Sequence, residues 1–129
     1  MHVYSFEKLE VWQLSREFNR YIYTITSKFP VEEKSGLVSQ IRRASISIAS
    51  NIAEGSARNT AKDQANFYGM AFSSAIEVLN QLIICNDLQY LSIGDYESGR
   101  KKIEEITNKL NGLRKTAIER QLSSKRINS

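Results

Sequence analysis

The chain has 129 residues, 41% of them hydrophobic and 25% charged, a composition that suits one globular domain with its own core. Its formal net charge of +4 favours an anionic partner such as nucleic acid or an acidic protein, but the excess is too small to decide between them. The only cysteine, Cys85, excludes an intramolecular disulfide. There is neither an N-terminal apolar signal region nor a run of about 18 apolar residues, so we expect a cytoplasmic protein.

The first half of the chain has two stripes of residues at helical spacing. The first predicts a helix from Phe6 to Phe29, ended by the only proline, Pro30. The second predicts a helix from Lys34 to Glu54, closed by Gly55 in the left-handed conformation that often follows a helix. The residues of the two stripes are Val11, Ser15, Phe18, Ile22, Ile25 and Phe29, and Leu37, Ile41, Ala44, Ile48 and Ile52.

Two capping signals mark the starts of a third and a fourth helix. Thr60 precedes Asp63 by three residues and Ser92 likewise precedes Asp95, an arrangement that satisfies free amides in a first helical turn. The third helix runs to about Asn86. The fourth has an unbroken stripe of Tyr96, Gly99, Ile103, Ile106, Leu110, Leu113 and Ala117. We place the domain at residues 1–121 and expect the polar, basic tail at 122–129 to be disordered.

The connections between the predicted helices are short, at about residues 30–33, 55–59 and 87–91. Short connections force helices that follow each other in the chain to lie antiparallel. We find no internal repeat and no stretch with the two-residue period of a strand. The sequence therefore predicts an all-α fold, an antiparallel up-down-up-down four-helix bundle.

The third helix carries more apolar surface than one bundle core needs. One stripe faces the core: Phe67, Ala71, Ser74, Val78, Leu82 and Cys85. A second stripe about 100–180° away predicts an oligomer interface made of Tyr68, Phe72, Ile76, Leu79 and Ile83. The alternative is an irregular bundle in which the first or fourth helix covers both stripes. The back face of the second helix consists of Ser39, Ile46, Ser47, Ser50 and Ala53. Its small side chains would let the backbone of another helix approach closely; the alternative is an ordinary polar surface.

The sequence lacks the residues of the common catalytic sites. His2 is the only histidine and lies at the N-terminus. We therefore expect no catalytic triad with histidine, no metal site made of histidines and no imidazole general base. Cys85 belongs to the core stripe, where we interpret it as a small buried side chain and not a nucleophile. No glycine-rich phosphate loop is present. We therefore predict a protein that is not an enzyme and that has no metal and no cofactor.

Basic residues collect where the first helix begins, the second and third helices join, and the fourth helix ends. We call this end the basic pole. Its charged residues are eight cations, Lys8, Arg58, Lys62, Arg114, Lys115, Arg120, Lys125 and Arg126, against five acids, Glu7, Glu10, Glu54, Asp63 and Glu119, which leaves +3 of the total +4. We predict that nucleic-acid phosphates bind Arg58, Lys62, Arg114, Lys115, Arg120, Lys125 and Arg126. The alternative is a solvated surface with local ion pairs.

Glu77 is the only charged residue between Gln64 and Asn86 on the third helix. A carboxylate that is buried without a partner is costly. We therefore predict a structural ion pair between Glu77 and Arg42 or Arg43, with a loss of about 3–5 kcal/mol when one partner is removed. Contact of the two arginines with phosphate is the alternative.

Four segments occur in one order between about Phe6 and Ile118: FEKLEVWQLS, QIRRASISIASNIAEGSARNTAKD, AIEVLNQL and LNGLRK. In this order they resemble the bacterial four-helix bundle proteins encoded in intervening sequences of large-subunit ribosomal RNA genes. That family is similar to the accessory variability determinant of diversity-generating retroelements. The residues that match the family pattern are Trp12, Gln40, Arg43, Asn51, Glu54, Gly55, Glu77 and Leu110, whereas Ser56 stands where an aromatic residue often follows NIAEG. The resemblance implies a homopentameric barrel that binds nucleic acid and, in the retroelement relative, a reverse transcriptase.

The leading hypothesis from the sequence is a non-enzymatic, oligomeric protein of the bacterial cytoplasm that binds RNA or DNA phosphates through its basic surface. The alternative hypothesis is a protein-interaction scaffold for a nucleic-acid-processing partner such as a reverse transcriptase. The expected partners are further copies of the chain, nucleic acid and, in the alternative, another protein; no membrane is expected.

Overall fold

The structure, a computed structural model, describes residues 1–128. Over that range the chain is all-helical, with four α-helices and no strand: α1 (Glu10–Thr26), α2 (Leu37–Ser56), α3 (Ala61–Asp87) and α4 (Ile93–Asn128). Two short 3-10 helices, Ser5–Lys8 and Val31–Glu33, precede α1 and α2. The prediction of an all-α fold with four helices is confirmed.

Each α-helix packs against two others, so that α1, α2, α3 and α4 form a closed ring. Near the middle of α2, the hydroxyl oxygens of Ser47 and Ser74 lie 2.9 Å apart. At the end of α2, Gly55 lies against Phe67, which comes earlier in α3. These two helices therefore run antiparallel. The arrangement is consistent with a four-helix bundle.

The core is built from the predicted stripes. All six stripe residues of the first helix are buried, as are four of the five in the second, Leu37 being partly exposed. The largest side chains with essentially no exposure are Phe18, Ile22, Ile41, Ile48, Ile52, Leu82, Ile103, Ile106 and Leu110. Burial of each such side chain contributes on the order of 1.5–3 kcal/mol. The periodicity that predicts the helices thus also fixes which faces meet.

Both predicted capping signals are confirmed. Thr60 Oγ1 accepts a hydrogen bond from the Asp63 amide at 3.1 Å. Ser92 Oγ accepts one from the Asp95 amide at 3.0 Å. Each bond satisfies an amide that has no partner within its helix, so the starts of α3 and α4 lie within a residue or so of the capping residue.

α1 is shorter than predicted at both ends. Extended backbone at Leu9 separates it from the first 3-10 helix, and α1 ends at Thr26, before Pro30. Pro30 instead precedes the second 3-10 helix, which delays the start of α2 to Leu37. A stripe at helical spacing does not distinguish an α-helix from adjoining 3-10 turns, because both place apolar residues on one side.

The sequence predicts that Gly55 ends α2 in a left-handed conformation, and this prediction is wrong. α2 continues through Ser56, and no glycine among the described residues has a positive φ. The structure shows a different need for glycine at this position. A Cβ atom added to Gly55 would lie 2.8 Å from Tyr68 Cε1 and 2.9 Å from Phe67 Cβ. The missing side chain is what lets α2 and α3 approach each other there.

α4 extends past the predicted domain boundary at residue 121. It continues as a helix through Asn128, whereas the sequence predicts a disordered tail from residue 122. No glycine or proline follows Gly112, so nothing in this part of the sequence breaks the helix. Of the predicted tail, Ser129 lies outside the described residues.

α3 is the one helix in the described part of the chain whose length and composition would allow it to cross a membrane, with a mean hydropathy of 1.3 in its most apolar window. The core helix of a soluble protein meets the same criterion. Since α3 packs between α2 and α4, its apolar character is also that of a central bundle helix. Composition alone is therefore weak evidence for a membrane role.

We expect Gly55→Ala to lower the free energy of unfolding by about 1–3 kcal/mol, because the added methyl group would crowd Phe67 and Tyr68. Gly112→Ala is the matched control. Nothing lies within 4 Å of a Cβ atom at that position, so the better helix former should stabilise the protein there by up to about 1 kcal/mol. Urea unfolding measures both changes, and equal stabilisation by the two substitutions would contradict a close approach at Gly55.

Candidate nucleic-acid interface

Gln64, near the start of α3, connects two parts of the basic pole. Its Nε2 donates a hydrogen bond to the carbonyl oxygen of Arg58 at 3.3 Å, and its Oε1 accepts one from Arg120 Nη2 at 2.6 Å. The loop after α2 is thereby connected to the last third of α4. Nothing in the sequence distinguishes Gln64, because an amide on a helix surface forms no motif.

Two more arginines of the pole lie against α3. The guanidinium carbon of Arg58 is 4.3 Å from the centre of the Phe67 ring, and its Nη2 is 4.0 Å from Glu54 Oε2. Both partners of that ion pair are about half exposed, so the pair adds little stability. Arg114 lies beside Gly69, where an added Cβ would be 3.5 Å from Arg114 Nε.

All seven residues predicted to bind phosphate are at least partly exposed. Lys62, Lys115 and Lys125 have no ion-pair partner within residues 1–128. The structure brings Arg58, Arg114 and Arg120 together around the start of α3. Lys115 follows Arg114 in the chain, and Lys125 and Arg126 lie in the last turn of α4. The start of α3 adds partial positive charge beside the three arginines. This surface can hold phosphates, but it contains no geometry for reading bases.

The predicted ion pair of Glu77 with Arg42 or Arg43 does not form. Glu77 is exposed, and its Oε1 accepts a hydrogen bond from Gln81 Nε2 at 3.3 Å, one turn along α3. Arg42 bonds to α1 instead, and Arg43 has no ion pair with any described residue. The Glu77 carboxylate keeps its contact with water and needs no cation, so its removal should cost far less than a buried charge would.

The predicted oligomer interface is largely covered within one chain. Tyr68 is only 3% exposed and packs with Ala65 and Ala117, so it is not available to a partner. Burial, the larger effect, raises the pKa of Tyr68, against the opposing influence of the Arg120 charge. Phe72, Leu79 and Ile83 are partly buried, Phe72 and Leu79 against the main core, and only Ile76, at 44%, counts as exposed. For Tyr68, the alternative in which α4 covers the second stripe is the correct one.

The large apolar side chains that α2 and α3 do expose share only Ile76 with the predicted interface. We call them the α2–α3 face: Ile46, Met70, Ile76 and Ile84, each between 37% and 51% exposed. Ser39 and Ser50, from the predicted back face of α2, are exposed on the same helix. The face therefore combines bulky apolar groups with small polar ones.

Cys85 is fully buried in the core. Burial raises the pKa of its thiol to about 11, and the charge of Glu33 adds to the rise. In the described part of the chain, no three histidine, cysteine, aspartate or glutamate side chains are grouped so that they could hold a metal ion. His2 packs edge-on against Tyr4 in the exposed N-terminal segment, 4.7 Å between ring centres.

Residues 7–112 match the family model described as 23S rRNA-intervening sequence protein. Among solved structures, the chain is similar to a protein of unknown function from the S23 ribosomal protein family of Bacteroides thetaiotaomicron. The TM-score is 0.74 at 29% sequence identity, over 81% of this chain and 98% of that one. No curated protein matches the chain. Five of the seven predicted phosphate-binding residues, those from Arg114 onwards, lie beyond the range that the family model matches.

We expect Cys85 to resist alkylation by iodoacetamide in the folded protein at neutral pH. A raised pKa keeps the thiol protonated there, and a protonated thiol is a poor nucleophile. The same thiol should react readily in urea, where burial is lost. Mass spectrometry of both samples measures the difference. Fast modification of the native protein would show that Cys85 reaches solvent and would restore it as a candidate nucleophile.

Proposed function

The chain belongs to the 23S rRNA-intervening sequence protein family, and on that premise we propose that it is a non-enzymatic, oligomeric protein that binds nucleic acid. The proposed ligand is RNA in the first instance, held by its phosphates without reading of its sequence. The observation that carries the proposal is the exposed basic pole, in which Gln64 links two of the cation-bearing segments.

One of the five acids of the basic pole is paired with a cation outside the pole. Glu10 lies 3.2 Å from Lys109 Nζ, a lysine outside the pole, and Glu54 lies against Arg58. Two of the five acids are thus already engaged, one of them by a cation that the pole does not include. The lysines without ion-pair partners remain able to displace counterions from a nucleic acid, and counterion release supplies most of the affinity of non-specific binding.

The same proposal includes self-association through the α2–α3 face. Contiguous apolar patches on a protein surface mark interaction sites, and we propose that the four side chains of the α2–α3 face form such a patch. The assembly that we propose is a homopentamer, as the family resemblance implies. Copies in parallel would bring several basic poles to one end, and a ligand that spans two poles gains affinity through effective concentration.

A second candidate function, a scaffold for another protein, uses the same face. The four exposed apolar side chains are the observation that favours it, because a heterologous partner would cover them as well as a further copy would. The oligomeric state in solution separates the two functions: a monomer leaves the face for another protein.

We expect a labelled RNA to bind the protein with a strong dependence on salt, losing affinity steeply between about 50 and 200 mM salt. Lys115→Gln combined with Lys125→Gln should lower the slope of log affinity against log salt by about 1 for each phosphate that is no longer neutralised. Lys101→Gln combined with Lys102→Gln removes the same charge from the first part of α4 and should leave the slope nearly unchanged. Fluorescence anisotropy measures all three proteins. Absent or salt-insensitive binding of the wild type would refute the proposal.

We expect light scattering to give several times the mass of one chain, and Ile76→Glu to reduce it. A charge in a sealed apolar contact is much costlier than the same charge in water. Because Ile76 is already 44% exposed, the variant should stay folded, which circular dichroism checks. Ile93→Glu, at a residue 72% exposed at the start of α4, is the matched control and should keep the full mass. A wild-type protein that stays monomeric at micromolar concentration would contradict self-association.

A further inference from the structure

A second group of cations lines a cleft between α1 and α2, which we call the α1–α2 cleft. Its volume is about 450 Å³, and its lining residues are Tyr23, Lys34, Val38, Ser39, Arg42, Arg43 and Ile46. Three of the seven carry positive charge and none carries negative charge. The cleft shares no residue with the basic pole.

Arg42 is fixed in this cleft by three contacts to α1. Its Nε donates a hydrogen bond to Thr26 Oγ1 at 3.0 Å, and its Nη2 donates one to the Tyr23 carbonyl oxygen at 3.2 Å. Its guanidinium carbon lies 4.3 Å from the centre of the Tyr23 ring. Thr26 Oγ1 in turn donates to the Ile22 carbonyl oxygen at 2.6 Å, which fixes the orientation of that acceptor. The guanidinium is thus held in place before any ligand arrives.

The other two cations of the cleft lack ion pairs. Lys34 and Arg43 are exposed, and none of the four ion pairs found among residues 1–128 includes a residue of the cleft. A second groove along α1 also contains two arginines, but Glu7 and Glu17 line it beside Arg16 and Arg20. Charge is offset in that groove and is not offset in the α1–α2 cleft.

We propose that the α1–α2 cleft binds a phosphate group of the nucleic-acid backbone, with Arg42 as the fixed donor and Lys34 and Arg43 as flanking charges. This rests on the proposed function, since it names a further part of the nucleic-acid surface. A guanidinium offers parallel N–H donors that match the oxygens of a phosphate, and bonds of this kind are stronger than those between neutral groups. The Ser39 hydroxyl adds a donor.

Charge complementarity favours a nucleic acid over a further copy of the chain as the occupant. A strand presents one negative charge per nucleotide, so successive phosphates can satisfy three separate cations. Between Gln64 and Asn86, the part of α3 that carries the apolar α2–α3 face, Glu77 is the only charged residue. A cleft lined by three cations would leave most of its charge uncompensated against such a surface.

The first experiment follows the arginine side-chain Nε–H signals and the ring of Tyr23 by NMR during titration with inorganic phosphate and with a short oligouridine. We expect saturable shifts of Arg42 and Tyr23 with both ligands, tighter for the oligonucleotide. Chemical shifts that change with the concentration of the protein but not with that of the ligand would show that another copy of the chain covers the cleft. That result would overturn the proposal. No shift of Arg42 with either ligand would overturn it as well.

The second experiment measures RNA affinity at low salt after Lys34→Gln combined with Arg43→Gln. These residues have no ion pair, and the bonds of Arg42 to α1 stay intact, so the variant should fold. We expect about a tenfold loss of affinity and a salt slope smaller by about 0.7 for each phosphate of a single strand that is no longer neutralised. Lys101→Gln combined with Lys102→Gln is the control of equal charge and should reduce the affinity much less.

The results separate this proposal from the general one. Wild-type binding that weakens equally in the cleft variant and in the control would overturn the α1–α2 cleft as a site and leave the proposed function standing. If the wild-type protein binds no RNA and the Arg42 signals do not shift with either ligand, both the proposed function and the α1–α2 cleft as a site are overturned. Arg42→Lys adds a test of geometry, because it keeps the charge but removes the paired donors: affinity close to the wild type would overturn the role of Arg42 as the fixed donor.

Discussion

α3 must be covered on two sides, and this requirement is the constraint on which the rest of the structure depends. Between Gln64 and Asn86 it carries one charged residue, Glu77, so water cannot satisfy most of its surface. Small residues let its neighbours come close: Gly55 of α2 lies against Phe67 and Tyr68, and Gly99 of α4 lies near Leu82. The helix therefore sits between α2 and α4 as the centre of the packing.

The length of α4 follows from the same constraint, and the basic pole follows from that length. Tyr68 near the start of α3 is buried against Ala117, far along α4. A helix long enough to reach it also brings Arg114 beside Gly69 and Arg120 to Gln64. The pole is thus assembled by packing between apolar surfaces, whereas its charge is set by residues that the packing leaves exposed. In the same way, the bonds that hold α2 to α1 fix Arg42 in the α1–α2 cleft.

Much of the fold can be predicted from the sequence, because burial follows helical periodicity closely here. The stripe from Val11 to Phe29 is buried throughout, and Thr60 and Ser92 cap the helices that their spacing predicts. Two of the predictions that differ from the structure, the Tyr68 interface and the Glu77 ion pair, concern distances between helices, which a helical wheel does not contain. The wheel gives the direction of the Tyr68 side chain around the axis of α3, but it does not show that α4 is long enough to cover this side chain. It therefore wrongly predicts an oligomer interface at Tyr68. The ion pair predicted for Glu77 assumes that all of α3 is buried.

The site is less predictable than the fold for a related reason. Charged residues on a surface obey no periodicity, so the sequence identifies the cations of the pole but not the bond through Gln64 that joins its parts. The sequence predicts Glu77 as the partner of Arg42 or Arg43, yet the partners of Arg42 are a hydroxyl, a carbonyl oxygen and an aromatic ring, none of which carries charge. Groups of that kind occur everywhere in a sequence and become informative only when their positions in space are known.

The central claim is that the cations of the basic pole and of the α1–α2 cleft hold nucleic acid. Lysine acetylation mapped by mass spectrometry, with and without bound RNA, tests it most directly because each lysine is read separately. Protection of Lys62 and Lys115 on the pole and of Lys34 in the α1–α2 cleft, with Lys101 and Lys102 modified equally in both samples, is the result expected. Uniform protection of every lysine, or none at saturating RNA, would contradict the claim.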